Sequence, residues 1–125
     1  MSQATEIINV IKDVFGEVEL PICVVVLDSE GLELFSTANC TVDDMSMLGI
    51  MAYEELNSQI KNRMDSDIDL MIFRIKTETF FVARIVEDLF LLARSDLARL
   101  GHITPLLDGL RSQIAFRINQ LKKGE

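Results

Sequence analysis

A chain of 125 residues, 49% hydrophobic and 26% charged, is the size of one domain with one core and excludes a disordered tail. Its net charge of −8 argues against non-specific binding to nucleic acid or to an anionic membrane surface, since both call for Lys and Arg. No window holds the ~20 consecutive apolar residues of a membrane helix.

Residues 3–15, QATEIINVIKDVF, carry Ile7, Ile8, Ile11, Val14 and Phe15 at helical spacing, and Gly16 is a natural stop. The run Ile22, Cys23, Val24, Val25, Val26, Leu27 is short, β-branched and apolar on both pleat faces, as suits a strand covered on both sides. Asp28, Ser29, Glu30 and Gly31 form a turn in which Gly31 can take positive φ, and residues 32–36 return as the partner strand of a hairpin. Residues 37–41 are a polar link.

Residues 42–64, VDDMSMLGIMAYEELNSQIKNRM, read as a long helix started by a cap at Asp43 or Asp44. At about 100° per residue, Met45, Leu48, Gly49, Ala52, Leu56 and Ile60 fall on one stripe that can dock on a sheet. Met47, Ile50 and Met51 point away from that stripe, and the same side turns polar at Glu54, Ser58 and Lys61. A helix seated on a core by one face has no structural use for three large apolar groups on the other. The second patch is therefore expected to meet another polypeptide.

Asp65, Ser66 and Asp67 break the helix. Residues 68–75, 80–85 and 89–93 then read as three strands joined by tight connections, an antiparallel meander. Leu70 and Ile72 alternate with Met71 and Phe73, and Phe80 to Ala83 are likewise apolar on both faces, so layers are expected on both sides of the sheet. Thr104 and Pro105 mark the start of a last helix, with Leu106, Leu107, Leu110, Ile114, Ile118 and Leu121 as its buried stripe and Lys122 and Lys123 at its end. The order is α-β-β-α-β-β-β-α, one α+β domain over residues 1–125.

No P-loop, GxGxxG turn, HExxH helix or zinc-type cysteine pair is present. His102 is the only histidine, and a structural or solvent-facing role is expected for it. Asp43 and Asp44 are better explained by capping than by acid–base work, because adjacent helical residues do not face each other. The opening MSQATEIINV lacks a positive region and an apolar run, so no secretory leader and a cytoplasmic location are expected. Cys23 and Cys40 could pair, but free thiols are the expectation in that compartment. No enzyme active site, cofactor or metal is read from these residues.

Three patterns in this order resemble the Roadblock / dynein light chain family: the hairpin from Ile22 to Ser36, with its apolar strand, Asp28 and Gly31-Leu32; the long helix directly after it; and the passage from Leu89, Phe90, Leu91, Leu92 and Ala93 through Leu97, Leu100, Gly101, Pro105, Leu106 and Leu107 into the last helix. The resemblance covers roughly Thr5 to Leu121. It implies a five-stranded antiparallel sheet with the middle helix on one face and the terminal helices on the other. It also implies a dimer in which the edge strand after the middle helix pairs with its twin while the middle helices pack together.

On this sequence the implied interface is Met47, Ile50, Met51 and Glu54 with Ile68, Leu70, Met71, Ile72, Phe73 and Ile75. The residues point the same way, because an edge strand as apolar as IDLMIFRI is an aggregation hazard unless it is paired, and a two-fold contact buries it in both copies. Family members are known as non-enzymatic partners of small Ras-like GTPases, as scaffold components and as motor light chains. The leading expectation is thus a cytoplasmic dimeric adaptor or regulator of such a GTPase, paired with itself or with a related chain. No catalytic signature of the family maps onto this chain, and nothing singles out Arg63, Arg74, Arg84, Arg94 or Arg99 as an arginine supplied in trans. The alternative is a profilin-like small-ligand sensor with Phe35, Phe73, Phe80 and Phe81 lining a pocket between sheet and helix, although strand-spaced aromatics usually fill a core.

Overall fold

Eight elements follow one another as expected: α1 (Gln3–Phe15), β1 (Cys23–Asp28), β2 (Glu33–Ser36), α2 (Asp44–Met64), β3 (Leu70–Ile75), β4 (Glu78–Val86), β5 (Leu89–Ser95) and α3 (Leu97–Lys123). The computed structural model describes residues 3–16, 22–37, 40, 44–95 and 97–124, with backbone alone for 3–4, 44–46 and 97–100. The capping contacts expected of Asp43 or Asp44, and the side chain of Met45, fall outside what is described.

The five strands form one antiparallel sheet in the order β2-β1-β5-β4-β3, with Val26 opposite Leu91, Ala83 opposite Leu91 and Ile72 opposite Phe81. Because strand side chains alternate, the sheet splits the core into two layers. On one face Val24, Val26, Phe81, Ala83, Leu91 and Ala93 pack under Val10, Ile11, Val14 and Phe15 of α1 and Leu107, Leu110, Ile114 and Ile118 of α3. On the other, Val25, Leu27, Val82, Phe90 and Leu92 pack under Ile50 and Tyr53 of α2. The fold is α+β, with the middle helix alone on its face.

Local chemistry explains the β1–β2 hairpin. The Asp28 carboxylate accepts from the N–H groups of Glu30 and Leu32, each at 2.9 Å, and Gly31 turns the chain at φ 93°. A Cβ on Gly31 would lie 2.7 Å from Met47 Sδ, so the bare glycine also makes room for α2.

The four aromatics considered as pocket lining are all used in packing. Phe35 stacks on Phe15 at 4.8 Å, Phe73 on Phe80 at 5.0 Å, and Phe81 is fully buried.

Four expectations need correction. The last helix starts at Leu97, so Pro105 is internal rather than at its first turn, and it leaves the Gly101 carbonyl without the usual i+4 donor. Gly101 and Pro105 lie on the exposed side, where water can satisfy that carbonyl. Leu106, placed in the buried stripe, is 44% exposed. Ile68 precedes β3, because its N–H and C=O are both bonded to α2 side chains and cannot join a strand ladder. Finally, Cys23 and Cys40 are joined by a disulfide with Cα atoms 5.2 Å apart. The hairpin register, with Val25 opposite Ser36, brings the chain back beside Cys23 soon after β2 ends, within the span a disulfide bridges.

Candidate functional site

α2 is anchored to the sheet by small and polar groups as much as by apolar ones. At Gly49 a Cβ would lie 3.4 Å from Leu92, Phe73 and Val82, so the helix backbone approaches β5, β3 and β4 closely. One turn on, Tyr53 is fully buried; its hydroxyl donates to the Ile68 carbonyl and its ring meets Phe90 edge-on at 5.7 Å. Burial raises the Tyr53 phenol above its usual 10.0, so it stays a donor. One further turn on, Asn57 accepts from the Ile68 N–H and donates to Asp67 Oδ1 at 3.1 Å. Lys61 closes the series with an ion pair to Asp67 Oδ2, also at 3.1 Å. Tyr53, Asn57 and Lys61 therefore clamp the loop that launches β3.

This clamp sets the rotation of α2 and corrects the expected one. Ile50 is fully buried in the core and Met47 is half-buried against Gly31, so neither points away from the molecule. Leu48, Ala52 and Leu56, expected inside, are outside: Leu48 is 54% and Leu56 44% exposed. Met51, at 60%, is exposed as expected, and so is Glu54. The physical reason lies in Tyr53 and Asn57. Counting only apolar side chains omits two polar residues that can be buried because the Ile68 backbone satisfies them. With them included, the inner face is Gly49, Ile50, Tyr53, Asn57, and the outer face carries its own apolar stripe of Leu48, Met51, Ala52 and Leu56 at i, i+3, i+4, i+8.

A sheet edge lies on the same side of the molecule. β3 is terminal in the sheet and, among the strands, is bonded only to β4. Its side chains are under-buried for their type: Ile72 is 44% and Ile75 39% exposed, while Leu70, Met71 and Phe73 are half-buried. At the opposite edge, β2 packs its face on α1 through the Phe15–Phe35 stack. β3 is thus an edge strand with no proline and a single charge, Arg74, near its end, little protection for so apolar a run.

The clamp yields two expected results. Asn57→Ala strands the Ile68 N–H and should lower stability by about 1–3 kcal/mol, read as the urea midpoint. Asp67 titrates below its ordinary 3.8, first because the Asn57 amide bonds its carboxylate and then because Lys61 does. A depressed folded-state pKa gives stability that is complete above the ordinary value and fades as pH falls through the folded one. Asp67→Asn should therefore lower stability at pH 7, with the gap from the parent protein closing as pH falls below the ordinary carboxylate range.

Little else resembles chemistry. Among the described residues no group of three or more His, Cys, Asp or Glu could hold a metal ion, and His102 is exposed. Arg84 lies over the Tyr53 and Phe90 rings at 5.7 and 5.9 Å, Arg94 pairs with Glu78 at 2.8 Å, and Arg74 donates to the Lys76 carbonyl. A pocket of about 260 Å³ sits at the β3–β4 turn, between Ile75, Lys76, Glu78, Phe80 and Arg94, and not between sheet and helix. No described helix is long and apolar enough to cross a membrane.

No family model matches the sequence, and no curated protein matches it either. Solved structures do match in shape. MglB from Myxococcus xanthus superimposes with a TM-score of 0.70 at 12% identity, over 97% of this chain and 93% of that one. A Roadblock/LC7 domain from Streptomyces avermitilis gives 0.62 at 14% identity, over 91% and 95%. An MglB with a tetrameric arrangement gives 0.60 at 12%, over 94% and 93%.

Proposed function

This chain has the Roadblock/LC7 fold, and on that premise we propose that it is a non-catalytic dimeric adaptor or regulator, working in the cytoplasm, whose partner is a small Ras-like GTPase. The observation that carries the reading is the apolar β3 edge together with the apolar outer face of α2, Leu48, Met51, Ala52 and Leu56. In the dimer, β3 pairs antiparallel with its twin so that the two sheets run on as one, and the two α2 helices meet across the two-fold axis. One surface then covers both liabilities in both copies.

Met51, Ile72, Phe73 and Ile75 lie in this contact with Leu70 and Met71 beside them, and Glu54 is at its rim. Met47, Ile50 and Ile68 support it from within. An MglB of similar shape has a tetrameric arrangement, which supports self-association as the reading. The GTPase follows from the family resemblance, and the dimer offers it a wide surface with no catalytic group of its own.

Light scattering on the eluting protein tests the dimer: twice the 14.1 kDa chain mass is expected at micromolar concentration, and a clean monomer ends the reading. Binding of small GTPases loaded with GDP or a GTP analogue tests the partner. Association that depends on the nucleotide supports regulation, and no association with any of them overturns it.

A further inference from the structure

We infer that the outer face of α3 is a second self-association surface, on which another copy of this chain docks its own α3 antiparallel and symmetrically. α3 buries Leu107, Leu110, Ile114 and Ile118 against the sheet, so the face opposite them looks to solvent. Such a face normally carries charge. Here the exposed residues from Gly101 to Gln120 include one Lys, Arg, Asp or Glu, which is Arg117, in a chain that is 26% charged. Arg117 is already paired with Asp13 of α1 at 3.2 Å. In place of charge the face shows Phe116, 65% exposed, and Leu106, 44% exposed. An open apolar hollow of about 600 Å³ lies beside Phe116, bordered by Ser112, Gln113 and Arg117. Depletion of charge around an exposed aromatic is the composition of an interface core.

The same residues point to the occupant. Leu106, Gly109, Gln113 and Phe116 recur at spacings of three, four and three, the seam along which two helices pack side by side. Laid antiparallel about a two-fold axis, Leu106 faces Phe116 of the partner subunit and Gly109 faces Gln113 of the partner subunit. The hollow beside Phe116 receives Leu106 of the partner subunit. A Cβ on Gly109 would meet nothing within 4 Å, which leaves room for Gln113 of the partner subunit. Pro105, Ser112 and Asn119 flank the seam without charge, so two copies of a chain of net charge −8 meet here with no like charges opposed.

Size sets the strength of the contact. From Gly101 to Gln120 the face is about 28 Å long and about 10 Å wide, and it covers on the order of 500 Å² per copy. That is less than the ~800 Å² per partner of a standard interface, so a Kd of roughly 0.1 mM is expected. The contact lies on the opposite side of the sheet from α2 and does not rest on the dimer proposed there. Both can form at once, and together they join dimers into larger assemblies.

The test is sedimentation equilibrium on the full chain from about 5 µM to about 500 µM, a range that brackets the expected Kd. The average mass should still be rising above roughly 0.1 mM. Phe116→Lys should shift that late rise at least roughly tenfold in concentration, yet keep the parent's mass at about 5 µM and its melting, because the side chain is exposed. If it fails to fold, Leu106→Lys takes its place. In Met51→Glu the rise should run from monomer to dimer, so this contact is read whatever becomes of the other. Orientation is tested by cross-linking at high concentration. The antiparallel seam brings the two Ser112 side chains together at the axis but holds the two Asn119 side chains about 20 Å apart. A short bismaleimide should therefore link Ser112→Cys to itself and leave Asn119→Cys unlinked, Cys23 and Cys40 being held in their own bond. A mass that Phe116→Lys and Leu106→Lys leave unchanged at every concentration, or equal linking of Ser112→Cys and Asn119→Cys, would each overturn the inference.

Discussion

Ile50→Glu is expected to leave no cooperatively folded protein at room temperature, while Met51→Glu, one residue later, is expected to keep a cooperative melt, lowered only by what the lost dimer contributed. Ile50 has no exposed surface and packs among Val25, Leu27, Val82, Phe90 and Leu92. A carboxylate there loses its hydration and gains no partner, at a cost of about 5 kcal/mol or more, against a total stability of about 5–15 kcal/mol for a domain. The milder Ile50→Ala should lose about 2–5 kcal/mol through lost burial and a cavity. Met51, at 60% exposure, is on the solvent side of the same turn, where substitutions change monomer stability by about 0.5 kcal/mol or less. Circular-dichroism melting decides this pair. Equal melting of the two glutamate variants would mean that the rotation of α2 is wrong.

Met51→Glu should instead show its effect in association. In a two-fold contact the change enters twice, so even about 2 kcal/mol per copy weakens the dimer roughly a thousandfold. At micromolar protein, light scattering should report a folded monomer. Leu56→Glu should behave alike, and Ile72→Lys should break the strand-to-strand half of the contact by placing a charge in the middle of the apolar run of β3, where Arg74 near its end is the present one. A dimer that survives both Met51→Glu and Leu56→Glu would take the outer face of α2 out of the interface, and one that survives Ile72→Lys as well would take out the β3 edge.

The two glutamate variants also mark how far reading by periodicity reached. It located the long helix to within two residues and identified it as apolar on two sides, which is the property the proposed function rests on. It then turned the helix the wrong way. Met51 kept its outward place, but Ile50 and Met47 belong to the core, and Leu48, Ala52 and Leu56 took the outer positions. When both sides of a helix carry apolar residues, spacing alone does not say which side docks. The deciding groups were Tyr53 and Asn57, whose buried polar atoms cost nothing once the Ile68 backbone pairs with them. That partner is eleven or more residues away along the chain. The disulfide was hidden for a similar reason: two cysteines seventeen residues apart become neighbours only through the register of a hairpin.

What the chain order alone settled was the list of elements, their sequence and the two-layered nature of the sheet. Those follow from local periods of 2 and 3.6 and from turn residues such as Gly31, none of which needs a distant contact. Only the tertiary structure decided which face of α2 is bare, that Ile68 serves α2 rather than β3, and that Cys23 meets Cys40. Each of these depends on a long-range partner satisfying a polar or sulfur atom, and such partners have no period to read.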